Sequence, residues 1–521
     1  MTSRHVVFDS HFGDGERFRS AVRARQGDLH YIALHSDPLP GFRRIPQADA
    51  GVTLDLLCAP LESALAQLDA RIDSFCLHGI ADQGSGFART LARLAQPGAT
   101  LHTEGLTAAQ EHALASVGFA DGTFTTRKPP SPWARQHEPV RRAIVIGAGL
   151  AGSAACERLC ARGWQVTLVE RHAQAATEAS GNLAGIHMPL LSRDDNIMTR
   201  LSRAAFLYAL AYWDRLGPIQ GARCGVLQLA RDAAHAQVQR AITGYPPAFA
   251  QWLESGPASA MLGAAAPDGA WLFPQAGWAR PSSVCEAMLD ACGSLLARRF
   301  GVGSVSLERD GDAWSVADAA GRHIVSAPVV VLANGTGALD LAQSAGLPLA
   351  SVRGQVTHLA AGALPALPFV LCREAYLTPA SDGVHSLGAS YDDDANPALA
   401  AGSQHENLEK IRALLGDPGI GIDAPLAGRV GFRCVAPDRL PLVGALPDMQ
   451  AGGRAERLRE VARHPGLYAL LGYASRGLCW APLAAELLAA RLDGEPLPLE
   501  AELATALDPA RFMLRARRRP V

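Results

Sequence analysis

The residues that could do chemistry gather first around three glycines. Gly147, Gly149 and Gly152 stand in G-x-G-x-x-G spacing, and a carboxylate, Glu170, follows about twenty residues on. That spacing suits a phosphate. Gly147 allows a tight turn, Gly149 lets the backbone approach a pyrophosphate, and Gly152 lets a helix pack close to a strand. Glu170 is placed to accept the ribose hydroxyls of the same nucleotide. The elements that must position these groups are legible around them. Residues 143–146 are a short apolar, β-branched run, which predicts a buried parallel strand. Residues 150–162 predict a helix with Leu150, Ala154, Ala155, Leu159 and Cys160 on one broad face, ended by Gly163. Residues 165–169 predict the second strand. The helix start would offer free amides and the positive end of its dipole to the pyrophosphate.

Two later stretches choose between dinucleotides. TEASGNLAGIHMPLLS (177–192) follows the second strand with small and polar residues, Ser180 and Asn182 among them, and suits a loop wrapping a pyrophosphate and a flavin ring. VVVLANGTG (329–337) is another buried strand, ending in Ala333, Asn334 and Gly335, which would return to the cofactor's edge. A simple NAD dehydrogenase needs neither, so the expected cofactor is FAD.

Composition agrees with a globular, core-burying chain. It has 521 residues, enough for two to four domains, with 48% apolar and 19% charged residues. A formal net charge of −2 argues against nucleic-acid binding by bulk charge alone. A local basic patch stands at Arg511, Arg515, Arg517, Arg518 and Arg519; it reads either as a solvated tail or as a phosphate contact. The ten cysteines lack metal or Cys-x-x-Cys spacing and read as reduced, mostly buried thiols, with no metal expected. No apolar run is long enough to span a bilayer, and MTSRHVVFDSHFGDGERF lacks a signal-peptide pattern, so a soluble, cytoplasmic protein without membrane partners is expected.

From residue 140 onward the chain resembles the D-amino-acid oxidase superfamily. More closely, it resembles the FAD-dependent half of the bifunctional tRNA 5-methylaminomethyl-2-thiouridine biosynthesis family. The resemblance rests on ASGNLAG (179–185), CGVLQLA (224–230), FPQAGWARP (273–281), VVVLANG, VRGQVTHL (352–359), YLTP (376–379), GASYDDD (388–394), GFRCVAPDRLPLVGALPD (431–448) and SRGLCWAPLAAELLAARL (475–492). It implies an α/β fold: a Rossmann-type FAD-binding domain (about 140–200, 275–350 and 430–515) interleaved with an α+β substrate domain (about 200–275 and 350–430). It also implies a substrate, tRNA bearing 5-carboxymethylaminomethyl-2-thiouridine at the wobble position. The flavin would take a hydride from the carboxymethyl carbon. The imine would hydrolyse to glyoxylate and a 5-aminomethyl group, and oxygen would take the electrons.

A substrate ending in a glycine-like carboxylate calls for an arginine, whose planar fork matches two carboxylate oxygens. Arg433 is the first candidate; the alternative pairs it with Asp438 as a structural bridge. Arg476, followed by Gly477 and Leu478 at a helix start, would contact flavin or substrate, or else bond backbone carbonyls. Tyr376 would line the substrate face of the ring, or pack in the core. Arg353 stands where such flavoproteins place a residue near the isoalloxazine, with Gly354 and Gln355 shaping a turn; a surface arginine is its alternative. His187 would lie near the flavin or be structural. Two other functions stay open: a free glycine- or sarcosine-type amine oxidase, and a decayed flavin-containing tRNA-binding protein.

Residues 1–138 resemble a truncated, degenerate class I methyltransferase domain of the same family, ended by a proline-rich linker (127–139). Strands are predicted at 29–36 and 72–79, a helix, Pro-Gly turn and strand across 85–103, and a helix at 107–119 capped by Thr107. Where the family's S-adenosylmethionine loop runs Glu-Thr-Gly-Phe-Gly-Thr-Gly, this chain reads DSHFGDG (9–15), with His11 for the first glycine. His35 stands where the ribose acid should be, and His78 where a catalytic aspartate should be. The expectation is a domain that no longer methylates or takes S-adenosylmethionine, kept as a scaffold or tRNA-docking surface; the alternative is a diverged but active methyltransferase.

Overall fold

The computed structural model describes residues 4–78, 86–103, 105–125, 140–421, 426–451 and 455–518, without the side chains of 47 and 515–518. The linker at 127–139 and the side chains of Arg515, Arg517 and Arg518, with all of Arg519, lie outside the described residues. The chain divides into two units. Met1–Pro139 is joined in the first by Leu210–Tyr212 and Glu486–Ala506; the second holds the rest. Residues 486–506 therefore leave the cofactor domain to which 430–515 had been assigned.

The first unit is built on an eight-stranded sheet. Its order is Gly41–Asp49, Val52–Cys58, Leu29–Leu34, His5–Asp9, Ile72–Leu77, Ala95–Thr103, Thr123–Phe124 and Phe119–Ala120. The strands from Val52–Cys58 to Ala95–Thr103 are parallel. His5–Asp9 reads as an apolar run because both of its faces are covered, as parallel strands require. Phe8, Ile32, Phe75, Leu77 and Phe124 pack on one face with the helices Leu61–Gln67, Gly86–Leu94 and Ala108–Ser116. Val7, Tyr31, Ala33 and Leu54 pack on the other with Phe12 and Phe18. Thr107 does cap its helix, in a reciprocal capping box with Gln110. Pro97 and Gly98, expected in a turn, lie instead within the strand Ala95–Thr103, at an irregular register.

The second unit holds two large sheets. The first has the order Leu296–Arg299, Gln165–Val169, Arg142–Ile146, Val329–Leu332, Arg463–Leu471 and Leu442–Pro447. All but the last are parallel. The chain runs outward one way from Arg142–Ile146 and then returns to its other side. That order reversal opens a crevice at the carboxyl ends of the central strands. The second sheet has eight strands, from Gln251–Leu253 through Ala270–Phe273, Val226–Leu229, Val370–Cys372, Tyr376–Leu377, Val384–Gly388 and Ala350–Ala360 to Ala427–Val435. Leu227, Leu359, Leu371, Leu377 and Leu387 form its core with Leu408 and Ile411 of the helix Ala401–Leu415. All ten cysteines are free thiols, eight of them buried. Among the described residues no helix is long and apolar enough to cross a membrane, and no cluster of His, Cys, Asp or Glu could hold a metal.

Candidate active site

The predicted strand, turn, helix and strand fold as Arg142–Ile146, Gly147–Gly149, Leu150–Cys160 and Gln165–Val169. Gly147 sits at φ +101°, and a Cβ there would fall 2.7 Å from the Ala333 carbonyl and 2.8 Å from the Asn334 Cα. Only glycine allows that turn beside the neighbouring strand end. Gly152 has a packing role: its Cβ would lie 1.7 Å from the Gly147 carbonyl oxygen. At the helix start Gly149 makes no side-chain cap, and the Leu150 amide donates to Ser180 Oγ at 3.1 Å. Glu170 is buried at the end of its strand, where its carboxylate accepts from the amides of Ala148 (2.7 Å) and His172 (2.9 Å). The acid is thereby fixed beside the turn.

These groups open onto a cavity of about 770 Å³, within the usual range for small-molecule sites. Gly147, Gly149, Glu170, Ser180, Asn182, Ala333, Asn334, Gly335, Tyr376, Arg433, Arg476, Gly477 and Leu478 all line it. Two buried polar atoms on its wall, Asn334 Oδ1 and the Tyr473 hydroxyl, have no hydrogen-bond partner among the described residues. Orphaned buried atoms are costly, and a polar ligand would satisfy them. A helix start, a fixed acid, glycines where a Cβ would intrude and two orphaned polar atoms fit a dinucleotide.

The part of the cavity formed by the second sheet is cationic. Arg433, on the strand Ala427–Val435, donates to the carbonyls of Ser390 (3.2 Å) and Arg353 (3.3 Å) and lies 4.2 Å from the ring centre of Tyr391. Its guanidinium passes over Gly354, where a Cβ would fall 2.1 Å from Nη1. Among the described residues no carboxylate pairs with it. Asp438, the alternative partner, takes Arg511 in a two-pronged bridge of 2.9 Å bonds. Arg511 is therefore a buried structural residue and not part of a solvated tail. Arg476 has a carbonyl contact at 3.5 Å, to Met188, and burial pulls its pKa below the ordinary arginine range. Tyr376 borders the cavity; burial raises its phenol's pKa, so it stays neutral.

Two expectations are corrected, and an open one is decided. Arg353 does not reach the cavity. Side chains alternate along Ala350–Ala360, so Gly354 and Val356 face the cavity while Arg353 and Gln355 face away. Arg353 is 1% exposed and donates to Asp392 Oδ2 (2.7 Å) and to the carbonyls of Asn396 and Ala398 (2.8 Å each). Gly354 and Gln355 shape no turn; they lie inside that strand. Of the two readings for His187 the structural one holds: it is buried against Phe206 and Trp213, and burial pushes its pKa down to about 3.

Sequence reasoning passed over Arg429, Tyr391 and Tyr473. Arg429 donates to the carbonyls of Thr177 and Glu178 and to Asn182 Oδ1, holding the cavity loop against the second sheet. Its signal was present: Arg429, Gly431 and Arg433 alternate along one face of a strand. Tyr391 lies within the GASYDDD stretch, where nothing sets it apart from its neighbours, and Tyr473 lies outside every stretch that carries the resemblance.

The first unit's glycine turn is arranged differently. Asp9 is fully buried, and its carboxylate accepts from Tyr31 Oη (2.6 Å), Arg17 Nε (2.9 Å), Arg17 Nη2 (3.1 Å) and the His11 amide (2.9 Å). Arg17 also donates to the His11 carbonyl. His35 meets Phe12 edge-on, and the His78 backbone is bonded through both its amide and its carbonyl to Ser10 Oγ.

Residues 142–491 match the family model described as FAD dependent oxidoreductase, the class that the sheet order and the cavity define. Among solved structures, the glycine oxidase of Geobacillus kaustophilus is 22% identical (TM-score 0.60), covering 71% of this chain and 99% of that one. An iminodiacetate oxidase from Chelativorans is 23% identical (TM-score 0.56), covering 70% and 98%. These share the fold. Nearer in sequence are proteins named tRNA 5-methylaminomethyl-2-thiouridine biosynthesis bifunctional protein MnmC. The one from Burkholderia thailandensis is 43% identical, covering 92% of this chain and 80% of the relative. The one from Paraburkholderia phytofirmans is 42% identical, covering 96% and 84%. The chain belongs to this tRNA 5-methylaminomethyl-2-thiouridine biosynthesis family, and it is an FAD-dependent oxidoreductase.

Proposed function

We propose that this protein removes the carboxymethyl group from 5-carboxymethylaminomethyl-2-thiouridine at the tRNA wobble position, leaving 5-aminomethyl-2-thiouridine and releasing glyoxylate. The observation that carries the substrate assignment is Arg433, which reaches the cavity with carbonyl partners but no carboxylate. A part-buried guanidinium that faces the cavity and has no carboxylate partner among the described residues suits a carboxylate brought by the substrate. Arg476 is a second cation in the same cavity.

Gly147, Gly149, Glu170, Ser180, Asn182, Ala333, Asn334, Gly335, Gly477 and Leu478 would hold FAD, with Gly152 packing the helix behind them. Bound FAD supplies the two-electron oxidation of the C–N bond, and oxygen is the final acceptor in this reading. Arg433 and Arg476 anchor the substrate carboxylate. Their charges and the buried setting also disfavour the ammonium form of the substrate nitrogen, so it keeps the lone pair that the reaction needs. Tyr376, neutral, closes the substrate side. Water adds to the imine, and the C–N bond breaks to free glyoxylate. The protein acts in the cytoplasm on tRNA. The N-terminal unit no longer transfers methyl groups and serves as a scaffold or docking surface.

The test is anaerobic mixing with tRNA carrying the carboxymethylaminomethyl group while the flavin's visible band is followed. Bleaching with that tRNA, and not with glycine, sarcosine or unmodified tRNA, is expected. Bleaching by the small amines alone would make this a free amine oxidase. Calorimetric titration with S-adenosylmethionine should give no heat; tight binding would restore the methyltransferase reading.

A further inference from the structure

An aromatic ring stands at the mouth of the cavity. Tyr391 lines the cavity and is 66% exposed, an unusual position for a large hydrophobic side chain. The ring is not a loose surface group. Arg433 stacks on it at 4.2 Å. The loop that bears it, from Ser390 to Ala400, is tied from beneath by Arg353, through Asp392, Asn396 and Ala398. Ser390 Oγ donates to Asp392 Oδ2 at 2.7 Å, and the backbones of Arg353 and Asp392 bond each other twice at 3.1 Å. Burying a whole guanidinium to hold an exposed loop needs a reason in what the loop presents. It presents a fixed aromatic surface directly beside the arginine assigned to the substrate carboxylate.

Resting on the reading given under Proposed function, we infer that Tyr391 is the platform on which the wobble nucleobase stacks when its side chain enters the cavity. A carboxylate on Arg433 leaves the base a few bonds behind it, at the cavity mouth. Every base has a π-face, and a base turned out of an anticodon loop gains stacking on a rigid aromatic ring. Arg353 is a positioning residue for this platform, acting through the loop and not through the cofactor.

The experiment measures affinities of flavin-loaded full-length protein for three anticodon stem–loops, with the modified base, plain uridine or an abasic site at the wobble position. Wild type should prefer uridine over the abasic RNA about tenfold, within the span expected of one stacked base, and prefer the modified base further. Tyr391→Ala should erase the uridine-over-abasic preference, and Tyr391→Phe should keep it. Arg433→Ala should do the converse, erasing the modified-over-uridine preference alone. A fluorescent 2-aminopurine at the wobble position should be quenched by wild type and Tyr391→Phe, not by Tyr391→Ala. If Tyr391→Ala retains the base preference, or if wild type prefers the modified base yet ignores the abasic change, the platform is overturned while the substrate reading stands. If wild type distinguishes none of the three RNAs, the tRNA reading falls and the platform with it.

Discussion

Two glycine-bearing turns follow the first parallel strand of two parallel-centred sheets in this molecule, and they have opposite fates. At 147–152 the turn supplies no side-chain cap of its own to the helix start, fixes an acid beside it with two amides, and opens onto a large cavity. At 9–15 the acid at the strand end is consumed internally by a guanidinium, a phenol and an amide. The two arginines tell the same story. Arg17 has its carboxylate in Asp9, while Arg433 has carbonyls and a ring. What separates a binding turn from a vestige is whether the fold leaves its polar groups unspent. Glycines alone do not decide it.

The sharpest way to break that comparison is a methyl group. Gly152→Ala puts a Cβ 1.7 Å from a backbone oxygen and should leave protein without bound flavin, read from the visible absorbance per chain. Gly15→Ala, at φ +82° with its nearest contact 3.1 Å away on Phe12, should cost only about 1–2 kcal/mol of left-handed strain. Equal effects at the two turns would refute the contrast. Next in size, Arg433→Ala should lower kcat/KM for the modified tRNA by roughly 10²–10³, about 3–4 kcal/mol, the lower part of the range for an ion pair that loses one partner in a closed site; Arg433→Lys should recover part of it.

Histidines sharpen the comparison with pH. His187 is buried with its folded pKa near 3 against an ordinary 6.5. Between those values the unfolded chain takes up a proton that the folded chain refuses. Stability is therefore full above about pH 6.5 and falls as pH drops, by at most ~1.4 kcal/mol per unit. His187→Leu should flatten that acid limb in denaturant titrations, and an unchanged limb would show another group responsible. The smallest effect belongs to Arg17→Ala. Arg17 is 43% exposed, so its loss should cost only about 1 kcal/mol after solvent screening. It should not create affinity for S-adenosylmethionine. Appearance of such binding would mean that Arg17 alone had closed the site.

Local patterns made the cofactor turn readable, because strand, glycines, helix and acid lie within thirty residues and each constrains the next. Thr107 was readable for the same reason. Arg353 was misplaced because a motif locates a residue along a strand but not on a face; one step of the pleat separates it from Gly354. The Asp438–Arg511 pair joins residues 73 apart, and local sequence carries no sign of such a choice. The paired strands Gly41–Asp49 and Val52–Cys58 went unread, since their register shifts between Ile45 and Asp49 and breaks simple alternation.

Glu486–Ala506 belongs to the N-terminal unit. Arg44, fully buried beside Asp55 and His30, also bonds Glu486 at 3.0 Å, a partner 442 positions later in the chain. Leu497 and Glu502 donate their amides to Asp69 and Gln67. On the ribosome, the first strands therefore emerge with a buried guanidinium whose second carboxylate has yet to be synthesised. The domain that is made first closes late, after the oxidoreductase sequence between has been translated, and a ribosome that stalls before residue 486 leaves it unfinished.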